Sequence, residues 1–146
     1  MAKAILLAED SPDDEFFFRR VLRGSRVENP VVVVRDGAQT IAYLQGEGEF
    51  ADREKYPMPG ILCLDVRMPG LDGFAVLEWL KDKPHLREQL LIIVLTQFGD
   101  ARQIRRAYEL GAHSFLPKPL TAQDSENLIT HFAKYWTRSD ERNEET

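Results

Sequence analysis

Five short apolar runs, each followed by a segment of helical periodicity, constrain this chain more than any other feature. Ile5-Leu6-Leu7-Ala8, Val31-Val32-Val33-Val34, Ile61-Leu62-Cys63-Leu64, Leu91 to Leu95 and His113 to Leu116 are all of strand length. The first four lack the polar alternation of a half-exposed strand. Runs of this kind belong in a parallel sheet covered by helices on both faces. Between them, apolar residues recur at helical spacing: Phe17, Val21 and Leu22; Ala38, Ile41, Ala42 and Leu44; Phe74, Leu77 and Leu80; Ile104, Ala107 and Leu110; Leu128, Ile129 and Phe132.

Strands alternating with helices pair in parallel through right-handed crossovers, which makes a doubly wound α/β sandwich. Five strands fit the flavodoxin-like order 2-1-3-4-5, with five helices and with strands 1 and 3 adjacent at the switch point. Local punctuation agrees. Ser11-Pro12-Asp13-Asp14 is a helix start, with Ser11 as cap, Pro12 in the first turn and acids at the positive end. Gly24 and Gly111 offer helix stops, and 46–59 is expected to be a long surface loop, with room for a short helical turn. One domain is expected over 1–137. The polar tail of 138–146 has too little apolar surface to order itself.

Ligands of such sheets bind outside the carboxyl ends of the strands. Collected there are Glu9 and Asp10 after strand 1, Asp65 after strand 3, Thr96 after strand 4 and Lys118 after strand 5. Alone, Asp65 is an ordinary turn or capping aspartate. Together with the acids beside it, it makes a pocket of like charges that calls for a cation. Oxygen-only ligands in small number suit Mg²⁺, which keeps waters and accepts a phosphate oxygen. A carboxylate nucleophile, a metal, a lysine and a hydroxyl can build and hold a phosphoryl group.

These residues resemble the receiver domain of two-component response regulators, over nearly all of the chain except its tail. The acidic pair is Glu9-Asp10, the acceptor and its turn are Asp65 and Met68-Pro69-Gly70-Leu71-Asp72-Gly73, and Thr96, Phe115 and Lys118-Pro119 follow in order. The resemblance implies phosphorylation of Asp65 by a sensor histidine kinase or a phosphotransfer protein. It implies Mg²⁺ held by Glu9, Asp10, Asp65 and the backbone carbonyl of Arg67, and a cis bond before Pro119. Thr96 and Phe115 would switch the face formed by the helix of 100–110, the strand of 113–116 and the last helix. Arg35-Asp36-Gly37-Ala38, the loop around Gly46 to Asp52 and the Tyr135-Trp136 ending are similar to receivers that work alone, several of them partners of phytochrome-type kinases. With no effector domain following, output is expected from the receiver surface, and a homodimer is expected through Tyr108, Phe115 and Tyr135-Trp136.

One departure stands beside the switch threonine. The family usually has a small residue there; this chain has Gln97, followed by Phe98. Gln97 either points into solvent or gates access to Asp65.

Composition removes other classes. The 146 residues are 43% hydrophobic and 29% charged with a net charge of −5, so no nucleic-acid footprint is expected. Arg19, Arg20, Arg23 and Arg26 read as a solvated helix face. No run approaches membrane-span length, and Met1-Ala2-Lys3 leads directly into a strand, so a cytoplasmic protein is expected. The single cysteine, Cys63, reads as a small buried hydrophobe. His85, His113 and His131 have no metal-ligand spacing. Two rivals are an aspartyl-phosphate phosphatase and a pseudo-receiver adaptor that works without phosphorylation. The first wants an acid two residues after the nucleophile, where this chain has Arg67. The second has only Gln97 in its favour.

Overall fold

A computed structural model describes residues 2–97 and 99–139. Its elements run β1 (Ala4–Ala8), α1 (Pro12–Gly24), β2 (Val31–Val34), α2 (Gly37–Gln45), β3 (Pro59–Asp65), α3 (Gly73–Lys81), α4 (Pro84–Gln89), β4 (Leu91–Thr96), α5 (Ala101–Glu109), β5 (Ser114–Pro117) and α6 (Ala122–His131). The sheet is parallel with order β2-β1-β3-β4-β5, so β1 and β3 are neighbours as expected.

Alternate residues along the central strands feed two separate cores, because successive side chains of a strand point to opposite faces. Leu6, Leu62, Leu64, Ile92 and Val94 face Tyr43 and Leu44 of α2, Leu77 and Leu80 of α3, and Ala107 of α5. Ile5, Leu7, Ile61, Cys63, Leu91 and Ile93 face Phe18 and Leu22 of α1 and Leu128 of α6. Each fully buried Leu, Ile or Val among these stabilises the fold by roughly 1.5–3 kcal/mol. Cys63 is free and buried, and burial pushes its thiol pKa up, away from reactivity.

Several expectations need correction. Six α-helices stand among the described residues where five were expected. The extra one, α4, begins at Pro84 after α3 ends on Asp82, and its six residues are too few to show a period. In α1 the core positions are Phe18 and Leu22, while Phe17 is exposed, so the apolar face lies one residue from the expected phase. Ile104 is also exposed, leaving Ala107 as the buried residue of α5. Gly24 does not end α1 with a left-handed turn; that conformation falls two residues later, on Arg26, at φ 59°. The loop of 46–59 does hold the short helical turn it had room for, a 3-10 turn at Gly48–Phe50, and its Phe50 is buried against Tyr43 and Tyr56. At the carboxyl end Arg138 pairs with Val27, and the Ser139 amide donates to the Arg26 carbonyl at 3.0 Å. The rest of the expected tail, 140–146, and Phe98 lie outside the described residues.

Candidate functional site

Asp65 closes β3 with its side chain buried and both oxygens engaged. Oδ1 accepts the Arg67 amide at 3.0 Å, and Oδ2 accepts Nζ of Lys118 at 2.7 Å. The loop behind it returns sharply to the strand. Asp72 caps α3 by accepting the Ala75 amide, and the Gly73 amide donates to the Val66 carbonyl at 3.1 Å. A Cβ on Gly73 would stand 2.6 Å from the Asp65 carbonyl oxygen, so only glycine allows this return.

Strand β1 delivers Glu9 to the same place. The pairing of Ala8 with Leu64 puts Glu9 beside Asp65, one residue beyond each partner. Glu9 is buried; its Oε2 accepts the Ser11 amide at 3.1 Å and its Oε1 accepts Lys118 Nζ at 2.5 Å. Burial pushes the Glu9 pKa up, Lys118 pulls it back, and the net direction is upward. Lys118 shows the opposite balance. Burial disfavours its charge, but hydrogen bonds to Asp65, Glu9 and Asp14 outweigh that and raise its pKa, so it is a fixed cation. The lysine precedes a cis Pro119.

Asp10 follows Glu9 and is exposed. Glu9, Asp10 and Asp65 each offer a carboxylate oxygen, all within 4.8 Å of one another. The hydrogen-bonded ammonium of Lys118 offsets one of their charges. Oxygen donors alone, with negative charge in excess, fit a hard divalent ion such as Mg²⁺ or Mn²⁺.

Thr96 ends β4 one residue beyond Leu95, the register partner of Asp65. It is almost fully buried, and among the described residues its Oγ1 has no hydrogen-bond partner. A buried hydroxyl without a partner is costly unless some state of the molecule supplies one. Phe115, on β5 opposite Val94, is half-buried. A Cβ on Gly99 would lie 2.6 Å from Phe115 Cε1 and 3.1 Å from Thr96 Cγ2, so the missing side chain leaves space that the ring and the threonine methyl both border. Gln97 is exposed at the start of the loop after β4.

The fold therefore brings Glu9, Asp10, Asp65 and Lys118 together, with Thr96 at the adjoining strand end. Sequence reasoning missed two participants, Asp14 and Gly99. Asp14 Oδ2 accepts Lys118 Nζ at 2.9 Å, although in sequence it is one more first-turn acid.

A family model described as the response regulator receiver domain matches residues 5–130. The response regulator Rcp1 of Synechocystis sp. is 31% identical over 134 residues, 92% of this chain and 88% of that one. The crystal structure of the Mn²⁺-bound form of Rcp1 aligns with a TM-score of 0.76 at 30% identity, covering 94% of this chain and 99% of that chain. The bacteriophytochrome response regulator RtBRR aligns with a TM-score of 0.81 at 33% identity, covering 94% of this chain and 81% of that chain.

Proposed function

The chain belongs to the response regulator receiver family, and from that premise we propose that it is a signalling switch phosphorylated on Asp65. The observation that carries this is the pair of bonds that fix the Asp65 carboxylate, to the Arg67 amide and to Lys118, within reach of the Glu9 and Asp10 oxygens. A carboxylate so held is already oriented toward an incoming phosphorus. The P–N bond of a phosphohistidine breaks as the P–O bond to Asp65 forms, and the imidazole nitrogen leaves with the electron pair and takes up a proton. Water later hydrolyses the acyl phosphate, returning the Asp65 carboxylate and inorganic phosphate.

Glu9, Asp10, Asp65 and the Arg67 backbone carbonyl would hold Mg²⁺. When bound, the ion supplies positive charge against the oxygens of the transferring group. Lys118 donates to a phosphoryl oxygen, and Thr96 Oγ1, without a partner at present, donates to another. Drawing Thr96 toward the phosphoryl group moves its methyl away from the Gly99 backbone that Phe115 also borders, and the ring then turns inward. The surface made by α5, β5 and α6 then changes. Phosphorylation adds roughly −1.5 to −2 charges, enough to bias such a two-state element.

The donor we infer is a sensor histidine kinase or phosphotransfer protein. The likeness to the bacteriophytochrome response regulator RtBRR supports a kinase of the phytochrome type. A cytoplasmic location goes with this reading. Tyr108 and Ile104, both exposed on α5, supply apolar area for a homodimer through the α5–β5–α6 face, to be checked by sedimentation with and without a phosphoryl mimic.

The test of function is incubation with acetyl phosphate and Mg²⁺, read by intact mass. The wild type should gain one phosphoryl group and Asp65→Asn none. Equal labelling of that variant would remove Asp65 from its role.

A further inference from the structure

The first turn of α1 lacks the reciprocal capping found in α5 and α6. In α5 the third helical residue, Gln103, reaches back to the amide of the cap Asp100, and in α6 Asp124 does the same for Thr121. The corresponding residue of α1 is Asp14. Its amide donates to Ser11 Oγ at 3.2 Å in the ordinary way. The return bond is missing, because the Ser11 amide donates to Glu9 Oε2 at 3.1 Å. Relieved of capping, the Asp14 carboxylate turns to Lys118.

Lys118 has three N–H groups and three carboxylate partners: Glu9 at 2.5 Å, Asp65 at 2.7 Å and Asp14 at 2.9 Å. These partners are not equivalent. The side chains of Glu9 and Asp65 are 4% and 6% exposed, whereas that of Asp14 is 38% exposed. The Asp14 bond is the longest, and it is the one whose loss water can most readily repair.

We propose that Asp14 is a positioning residue that competes with the phosphoryl group for Lys118. This rests on the assignment of Asp65 as acceptor. A phosphoryl oxygen arriving on Asp65 needs a donor from an ammonium whose protons are all taken. Whether it displaces Asp14 or replaces an Asp65 oxygen, the Asp14 charge and the phosphoryl charge then share one cation. They lie on the order of 5 Å apart, close enough for repulsion that is only partly screened at the rim of the pocket. Asp14 thus holds Lys118 in place while the site is unphosphorylated and opposes the phosphorylated state.

The experiment compares wild type, Asp14→Asn and Asp13→Asn for phosphorylation rate with Mg²⁺ and two small donors, acetyl phosphate and the less charged phosphoramidate. Asp13 carries the same charge in the same turn and is exposed. Asp14→Asn should react about fivefold faster with acetyl phosphate, less so with phosphoramidate, and the gain should shrink in high salt. Asp13→Asn should show little gain, and Asp14→Glu, which keeps the charge, should stay near wild type. A purely structural role would not depend on donor charge or salt. Thermal unfolding establishes that each variant is folded, and the salt dependence of the wild-type rate stands as a test of its own. An Asp14→Asn rate equal to or below wild type, or equal acceleration by both donors, overturns the competition. If the wild type takes up no phosphoryl group at all, it is the Asp65 assignment that fails.

Discussion

The hydroxyl of Tyr108, on α5, accepts the backbone amide of Phe115, on β5, at 3.1 Å. Strand β5 is the edge of the sheet, so this amide faces away from β4 and would otherwise meet water. An exposed aromatic on the proposed output face is thereby tied to the strand that carries the proposed switch residue. Tyr108→Phe removes the bond but keeps the ring. Because water can take over the amide, the cost should fall at the low end of hydrogen-bond contributions, about 0.5 kcal/mol. Urea unfolding should show a slightly lower midpoint at unchanged slope. Identical midpoints would mean that the bond adds nothing against water.

A divalent ion should stabilise the unphosphorylated protein through the carboxylates of Glu9, Asp10 and Asp65. Binding to the folded state alone adds about 2.7 kcal/mol at a free concentration of 100 Kd. Thermal unfolding should move upward with Mg²⁺. Asp10→Ala should lose most of that shift, because Asp10 is the exposed acid of the three and is not a partner of Lys118. An unchanged shift in the variant would place the ion elsewhere.

The site was largely legible because each strand delivers its chemical residue at one end. That end is set by strand direction, which an alternating pattern already determines. Glu9, Asp65, Thr96 and Lys118 needed only the order of the sheet to come together. Asp14 was hidden for a physical reason. An acid in the first turn of a helix is explained by the helix dipole or by capping, and only the diversion of the Ser11 amide to Glu9 frees it. Gly99 was hidden because its role is the space it leaves for Phe115, a contact across two elements. Helix α4 escaped because one and a half turns carry no period.

The phase of α1 was misplaced because Phe16, Phe17 and Phe18 stand in a row, and any of the three can head an apolar stripe. Packing selects Phe18, which lies with Leu22 against Leu7 and Leu95. Phe18→Ala should therefore cost about 3–5 kcal/mol, the usual range for a buried phenylalanine. Phe17→Ala, at an exposed position, should stay within about 0.5 kcal/mol of wild type. Denaturant titration of the pair measures the phase directly, and the reverse ranking would restore the one read from periodicity.

His113 makes stability depend on pH. Partial desolvation, with the Arg87 cation nearby, holds the pKa of this largely exposed side chain below the ordinary histidine value. Its Nδ1 accepts the Ile92 amide at 3.0 Å, a bond that requires this nitrogen to be unprotonated. The unfolded chain takes up the proton first. The contribution is thus fully present above the unfolded pKa of about 6.5 and is lost as pH falls from there through the lower folded value. Unfolding free energy should decline over that window in the wild type and decline less in His113→Gln. Parallel curves for the two proteins would show that other groups cause the decline.

Gln97 should slow chemistry at Asp65 in both directions. It follows Thr96 directly and begins the loop that leaves the end of β4, and its side chain is exposed. From there a long amide can swing across the mouth of the pocket, whereas alanine would leave it open. Covering hinders a small phosphodonor on its way in and the water that hydrolyses the acyl phosphate. Gln97→Ala should therefore raise both rates, and a change of ~1.4 kcal/mol in either barrier would appear as about tenfold. A different role predicts a different pattern. If the amide orients the attacking water, as a glutamine does in some GTPases, its loss would slow dephosphorylation and barely affect phosphorylation. Rates of phosphoryl gain from acetyl phosphate and of loss after donor removal, measured on the same variant, separate the two. A variant that keeps its phosphoryl group longer than wild type would exclude the covering role.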